Sequence, residues 1–211
     1  MKLQLALDGL GLSESLILLD KVKDSIDIIE IGTSFIIREG LRAVSEIKRC
    51  FPHFEILADL KIMDDGYFKA GKAYRAGADY VTVLGVTDPL TIKGCLDIAG
   101  QLGKKVVANL MCVNDLPTRI TELENMGVHV LSVHTGVDQQ AVGREPIEDL
   151  QLLVAHTKRA EIAVAGGINS RRVWKYIDLR PEIIIVGAGL IHHPAPADEA
   201  AAIKQQMREA C

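Results

Sequence analysis

Short runs of apolar residues recur along the chain, and between them lie longer segments in which apolar residues return with helical spacing. The runs are mostly continuous rather than alternating, which is typical of parallel strands that are covered on both faces. The longer segments have the pattern of amphipathic helices. The predicted strands are residues 3–7, 28–31, 56–60, 80–84, 106–110, 128–133, 162–165 and 183–186.

Several helix ends are marked by residues that favour capping. The first helix is predicted to begin near Ser13. Asp88 and Glu145 each precede a proline, so we expect each to stand at the start of a helix. Gly77 and Gly127 each follow a helical segment and precede a strand, which is the position in which glycine ends helices. Strands and helices therefore alternate regularly.

Eight strand–helix units in 211 residues average about 26 residues each, which is near the lower limit for a (β/α)8 barrel. No Pro/Gly/Ser-rich linker or block of charge divides the chain. We predict an α/β fold in which residues 1–211 form a single (β/α)8 TIM barrel. An open, doubly wound sheet is the alternative. The pattern is least regular at residues 40–50, where the second helix is expected, and in the connection 136–143.

The composition is that of a globular protein, with 48% hydrophobic and 25% charged residues. A net charge of −4 without a long Lys/Arg run argues against nucleic-acid binding.

The longest apolar run, 183–191, falls short of the ~20 residues that a membrane span needs, and we expect no N-terminal signal segment. Cys50, Cys95, Cys112 and Cys211 show no CxxC spacing, which favours a reducing compartment. We expect a cytoplasmic protein.

Polar residues stand at the C-terminal ends of the predicted strands, where a core pattern would have apolar ones. In a barrel these ends meet around one opening, so residues that are distant in sequence come together there. We expect these side chains to line a common cavity. The residues are Asp8, Glu30, Asp59 with Lys61, Asn109, and His134.

Asp59 and Lys61 are two positions apart, so they point to the same face of their strand. Each stabilises the charged form of the other, which keeps an ammonium group available in a partly buried site. The alternative interpretation is a structural ion pair. Glu30 and Asp59 together offer oxygen ligands that suit Mg²⁺, although a hydrogen-bonded acidic cluster has the same pattern. No Cys/His set points to structural zinc.

His134 follows the sixth strand, where its ring is expected to face the cavity. A neutral imidazole can transfer a proton near pH 7, so His134 is a candidate catalytic residue. A structural histidine, held by hydrogen bonds, is the alternative.

Glycine-rich turns follow the seventh and eighth strands. Such turns expose backbone N–H groups beside the starts of short helices, and barrels commonly bind phosphate with them. We therefore predict a phosphorylated substrate; glycines that merely permit tight turns are the alternative. The predicted anion-binding residues are Gly166, Gly167, Gly187, Ala188 and Gly189.

Asp59, Lys61 and Asp64 form a D-x-K-x-x-D motif that resembles the motif of the orotidine monophosphate decarboxylase suprafamily, in particular its metal-dependent branch. Residues 27–33, 81–85 and 163–167 are similar to the corresponding segments of the 3-hexulose-6-phosphate synthases in that branch. The similarity runs from residue 3 to the C-terminal helix.

This resemblance implies a homodimer of (β/α)8 barrels with Mg²⁺ at Glu30 and Asp59. It also implies that Lys61 faces the reacting carbons and that Asp8 contacts a substrate hydroxyl. Asp64 would reach the site of the neighbouring subunit. The two glycine turns would hold the phosphate of a pentulose or hexulose.

Synthases of this type join formaldehyde to D-ribulose 5-phosphate through an enediolate, while the sister enzymes decarboxylate 3-keto-L-gulonate 6-phosphate. The decarboxylases carry two arginines where this chain has Val137 and Ala188, which favours formaldehyde fixation. Asn109 stands where the family usually places an acid. An amide forms hydrogen bonds to a substrate but cannot transfer a proton as an acid or a base. A sugar-phosphate-binding protein without catalysis is therefore a third possibility.

Overall fold

Eight parallel strands close into a barrel in which each strand pairs with the next and the last pairs with the first. This arrangement is seen in a computed structural model of the chain that describes residues 1–210. The predicted TIM barrel is confirmed, and the open sheet is wrong. The strands are β1 Lys2–Leu7, β2 Ile28–Ile31, β3 Glu55–Ile62, β4 Tyr80–Leu84, β5 Lys105–Asn109, β6 Val130–His134, β7 Glu161–Ala165 and β8 Ile183–Val186.

Helices lie between the strands and after the last of them. Their buried faces pack on the outside of the barrel, where leucine, isoleucine, valine and alanine form the main core. The helices are α1 Leu12–Val22, α2 Thr33–Glu39, α3 Arg42–Cys50, α4 Gly66–Arg75, α5 Pro89–Leu102, α6 Leu116–Met126, α7 Val137–Ala141, α8 Ile147–His156, α9 Trp174–Ile177, α10 Ala188–Ile191 and α11 Pro196–Glu209.

The two least regular parts of the sequence pattern hold more helix than predicted. The second connection contains both α2 and α3 because Gly40 has a positive φ of 63° and interrupts the helical backbone. The segment 136–143 contains the short helix α7, which begins directly after Gly136.

The predicted capping residues are only partly confirmed. Asp88 accepts a hydrogen bond from the Leu90 N–H at 2.8 Å, and Gly127 ends α6 in the left-handed conformation. The prediction for Glu145 is wrong. Pro146 is the residue that caps α8, and it makes no side-chain capping bond. Glu145 instead accepts a hydrogen bond from Lys175 Nζ of α9 at 2.8 Å. Its side chain is longer than those of Ser, Thr, Asp and Asn, which are the residues that favour N-cap positions.

The barrel interior is filled in its middle by one apolar layer with a member from nearly every strand. Below this layer, at the N-terminal ends of the strands, Lys2 pairs with Glu55 at 2.5 Å and Lys105 with Glu161 at 2.7 Å. These charged side chains close the lower end, so the barrel is a packed core whose open cavity lies at the opposite end. The apolar layer consists of Ile28, Leu57, Tyr80, Val107, Val130, Ala163 and Ile183.

No helix within residues 1–210 is long and apolar enough to cross a membrane. Cys50, Cys95 and Cys112 are free thiols. Cys211, the fourth cysteine considered above, lies outside the described residues.

Candidate active site at the C-terminal mouth of the barrel

A pocket of about 490 Å³ opens at the C-terminal ends of the strands. The structure brings nearly all of the sequence-predicted site residues together around it, although they come from seven different strand ends. Asp64 is the exception and does not line the pocket. The predicted residues that do line it are Asp8, Glu30, Asp59, Lys61, Asn109, His134, Gly166, Gly167, Gly187, Ala188 and Gly189.

A β-bulge in β3 positions Asp59 and Lys61. The five residues of β3 from Ala58 to Ile62 stand opposite only three residues of β4, Val81 to Val83. Lys61 has a φ of +44° within this bulge, a conformation that is uncommon for a residue with a side chain. Asp59 and Lys61 both reach the pocket, as their spacing predicts, but the backbone between them is not a regular strand.

The Asp59 carboxylate is held by three donors. Thr82 Oγ1 donates to Asp59 Oδ1 at 2.7 Å, and Thr33 Oγ1 donates to Asp59 Oδ2 at 2.8 Å. Lys61 Nζ forms an ion pair with Asp59 Oδ2 and also donates to Thr33 Oγ1 at 2.8 Å. The ammonium and the carboxylate are therefore fixed relative to each other.

Glu30 is the most perturbed carboxyl group of the site. It is buried and accepts a hydrogen bond from Gln4 Nε2 at 2.6 Å. Burial, and next the charge of Asp59, raise the pKa of Glu30 from 4.5 to about 8. Without a bound cation this carboxyl is therefore largely protonated at neutral pH.

The acidic side chains fit a hard divalent cation that keeps several waters. Among residues 1–210, no three His, Cys, Asp or Glu side chains come close enough together to hold a metal ion by themselves. Mg²⁺, however, is commonly bound through one or two carboxylates together with substrate and water. A cation beside Glu30 would stabilise the ionised form of this buried carboxyl group.

His134 lies at the rim of the same pocket. Burial, and next the positive charge of Lys61, lower the pKa of His134 below its ordinary value, so the imidazole is neutral at pH 7. Asn109 Nδ2 lies 3.4 Å from His134 Nδ1, and Asn109 Oδ1 accepts a hydrogen bond from the Met111 N–H at 3.1 Å. The pocket thus contains both a neutral base and a fixed ammonium group.

The two glycine turns touch each other and form one concave surface. Gly189 lies so close to Ile168 that a Cβ at position 189 would overlap the Ile168 carbonyl oxygen. Gly166 and Gly167 have positive φ values of 127° and 66°. Gly187 directly precedes α10. The turn after β7, by contrast, does not lead into a helix as predicted, because α9 begins only at Trp174.

Comparisons with known proteins cover the whole barrel. The model of the orotidine 5'-phosphate decarboxylase / HUMPS family matches residues 1–203. The chain belongs to this family. Among curated relatives, 3-hexulose-6-phosphate synthase of Bacillus subtilis is 43% identical over 205 residues, covering 97% of this chain and 98% of the relative. The enzyme of the same name from Methylomonas aminofaciens is 41% identical over 200 residues, covering 95% and 96%.

A solved structure of 3-hexulose-6-phosphate synthase from Salmonella typhimurium is 52% identical and covers 100% of both chains with a TM-score of 0.99. The resemblance to this part of the family, which the sequence motifs indicate, is therefore confirmed.

Asp64, the last residue of the family motif, lies apart from the pocket within one chain. Its side chain is 79% exposed and forms an ion pair with Lys69. Met63, Tyr67 and Phe68 beside it are exposed as well. This end of the motif is therefore exposed and is not part of the pocket of its own barrel.

Several residues that line this pocket were not predicted from the sequence. Ser132 lines the pocket two positions before His134, so strand alternation alone could have found it. Gln4 and Thr82 are buried polar residues inside predicted strands, a pattern that also pointed inward. Thr33 follows the second strand at the start of a helix, and no feature of the sequence indicated that its hydroxyl reaches Asp59.

Proposed function

We propose that the chain is a 3-hexulose-6-phosphate synthase, an aldehyde-lyase that condenses formaldehyde with D-ribulose 5-phosphate. The observation that carries this proposal is the 52% identity to a solved enzyme of that name over the full length of both chains. The pocket supports it independently, because it places an ammonium, two buried carboxyl groups and a neutral imidazole beside a glycine-lined surface.

The phosphate of ribulose 5-phosphate would bind at the two glycine turns. Backbone N–H groups without neighbouring Cβ atoms can approach an anion closely. Gln140 also borders this surface, since its Oε1 lies 3.2 Å from the position that a Cβ of Gly167 would occupy. Binding the phosphate here would direct the carbonyl end of the sugar toward Lys61 and His134, with Asp8 and Asn109 available for its hydroxyl groups.

Glu30 and Asp59 would hold Mg²⁺. The ion would supply Lewis-acid polarisation of the substrate oxygens. The chain's own part in this is to present two buried carboxyl groups. One of them, Glu30, has a pKa raised to about 8 and would gain its charge when a cation is close.

The reaction needs one carbon–hydrogen bond broken and one carbon–carbon bond formed. His134 would accept the C1 proton of ribulose 5-phosphate, and the electron pair left behind gives an enediolate. C1 then bonds to the carbon of formaldehyde, the C=O π bond of formaldehyde opens, and its oxygen would take up the proton that His134 holds. Lys61 would provide a fixed positive charge for the developing oxyanion, and such preorganised charges are worth about 3–4 kcal/mol.

We also propose that the enzyme is a homodimer in which Asp64 reaches the partner's site. The exposed apolar side chains around Asp64 support this. Thr87 Oγ1 donates to the Met63 carbonyl oxygen at 2.5 Å, so the segments that follow β3 and β4 contact each other. We call the exposed apolar residues of these two segments, in the loops and at the starts of α4 and α5, the loop patch. Its members are Met63, Tyr67, Phe68, Val86 and Leu90.

The decarboxylase alternative has less support from the pocket. Val137 and Ala188 line it at the positions expected for arginines, and no arginine is among its lining residues. A carboxylate-bearing sugar phosphate would therefore lack an arginine partner at these two positions. A protein that binds the sugar phosphate without catalysis remains the alternative that Asn109 suggests.

A side-by-side assay tests the proposal. Purified protein with Mg²⁺ is given formaldehyde and ribulose 5-phosphate in one reaction and 3-keto-L-gulonate 6-phosphate in the other. Hexulose phosphate in the first and little CO₂ from the second is the expected result. Thermal stabilisation by ribulose 5-phosphate without turnover, followed by turnover in Asn109→Asp, would instead identify a binding protein.

A further inference from the structure

Thr82 connects the two charged residues of the site through a single hydroxyl group. The side chain lies buried on β4, with 4% of its surface exposed. Its Oγ1 donates a hydrogen bond to Asp59 Oδ1 at 2.7 Å. The same oxygen accepts a hydrogen bond from the backbone N–H of Lys61 at 2.9 Å. One hydroxyl therefore contacts the carboxylate and the backbone of the lysine.

The bulge in β3 explains why this hydroxyl is needed. Between the pairs Ala58–Val81 and Ile62–Val83 the regular ladder is interrupted, so the Lys61 N–H has its acceptor in the Thr82 side chain instead of a strand carbonyl. A buried N–H without an acceptor is unfavourable. The left-handed conformation of Lys61, with its φ of +44°, is unfavourable too. By accepting a hydrogen bond from the Lys61 N–H, Thr82 removes the first cost and stabilises the backbone conformation that carries the second.

We propose that Thr82 is a positioning residue of the active site. Its hydroxyl holds the Lys61 backbone in the bulge and aims the Asp59 carboxylate, so that ammonium and carboxylate meet the substrate in a fixed arrangement. Thr82 lines the pocket, but its hydroxyl is engaged by Asp59 and by the Lys61 N–H, so we expect it to act through these two residues. This inference rests on the proposed function, because the arrangement matters only if these two groups act on the substrate.

The hydroxyl can be separated from the shape of the side chain. Thr82→Val keeps the volume and removes the hydroxyl, whereas Thr82→Ser keeps the hydroxyl and removes a methyl group. Thr82→Ala differs from Thr82→Ser by the hydroxyl alone. If the valine variant fails to fold, the serine and alanine variants form a second matched pair that answers the same question.

Thr157 provides a control for burial. Its Oγ1 is buried and has no hydrogen-bond partner among the described residues. It lies after α8, just before β7, on the side of the barrel away from the pocket. Thr157→Val therefore makes the same chemical change without touching the site.

The experiment measures the kinetics of formaldehyde condensation and the hydrogen exchange of the Lys61 amide, followed by NMR. Loss of an outer partner of this kind lowers activity by about 10–100-fold. We expect that decrease in kcat for Thr82→Val, with KM for ribulose 5-phosphate changed less than about threefold. The Lys61 amide should exchange faster in the same variant. Thr82→Ser and Thr157→Val should resemble the wild type in both measurements.

Two results would overturn the inference. One is a Thr82→Val enzyme with wild-type kcat; the other is an equal loss of kcat in Thr82→Ser and Thr82→Ala, which would make the hydroxyl irrelevant. Failure of the proposed function looks different. In that case the wild-type protein itself makes no hexulose phosphate, and unchanged exchange at Lys61 in Thr82→Val would then refute the link between Thr82 and the bulge.

Discussion

Glu30 and Asp59 lie at the ends of neighbouring strands, and the charge of Asp59 adds to burial in raising the pKa of Glu30 to about 8. Glu30 therefore loses its proton less readily than an ordinary glutamate. This relationship makes the stability of the protein depend on pH.

Stability should fall as the pH rises from about 4.5 to about 8 when no divalent cation is present. In this window the unfolded chain has already lost the Glu30 proton, whereas the folded chain retains it, so each step up in pH favours unfolding. Glu30→Gln should remove this dependence of stability on pH. Urea unfolding in EDTA should show that the variant gains stability relative to the wild type between pH 5 and pH 9. Mg²⁺ at pH 8 should stabilise the wild type and leave Glu30→Gln unchanged.

Glu124 provides a control of opposite sign. Burial opposes its ionisation, but N–H groups of Ala160, Arg159 and Lys158 donate to it and lower its pKa overall. Its contribution to stability is therefore lost as the pH falls, and Glu124→Gln should be least stable relative to the wild type at neutral pH. Parallel pH profiles for the two variants would contradict the account of Glu30.

Gly189→Ala should weaken binding of the sugar phosphate. A Cβ at this position would overlap the Ile168 carbonyl oxygen, so the two glycine turns would have to separate. We expect KM for ribulose 5-phosphate to rise about tenfold or more, with a smaller change in kcat. Gly100→Ala is the matched control, because a Cβ at position 100 in α5 meets no atom within 4 Å. An unchanged KM in Gly189→Ala would argue against phosphate binding at these turns.

Phe68→Asp should separate the proposed dimer into monomers. The Phe68 side chain is exposed within the loop patch, and a carboxylate there would be buried in the interface without a partner. Analytical ultracentrifugation should show a monomer with little synthase activity, since Asp64 would no longer reach a partner's site. Ile17→Asp, at an exposed apolar position on α1, should remain dimeric and active. A fully active Phe68→Asp monomer would disprove the role of Asp64 across the interface.

The strands and the convergence of their polar ends were predictable from the sequence. Continuous apolar runs indicate buried parallel strands, and barrel geometry then brings residues such as Asp8 and His134 together. The prediction for residues 28–31, for example, coincides with β2, Ile28–Ile31. These features depend on local hydrophobicity and on topology, and both can be read along the chain.

The contacts that hold the site were not predictable in the same way. The bulge at Lys61 depends on pairing with β4, and the hydrogen bond from Thr82 forms between residues 23 positions apart. Glu145 has the sequence context of a helix cap, yet its salt bridge to Lys175 spans 30 positions. Such contacts depend on the tertiary arrangement of side chains, which a single sequence does not specify by local pattern.

The most direct test of the central claim follows ¹³C-labelled formaldehyde by NMR. With wild-type protein, Mg²⁺ and ribulose 5-phosphate, the label should appear in a carbon that is bonded to C1 of the original sugar. Lys61→Met should lower the rate by about 10²–10³-fold, whereas Lys23→Met, which removes an exposed ammonium that pairs with Asp20 at the end of α1, should lower it much less. Label that stays in formaldehyde with the wild-type protein, or equal rates in wild type and Lys61→Met, would contradict the proposal.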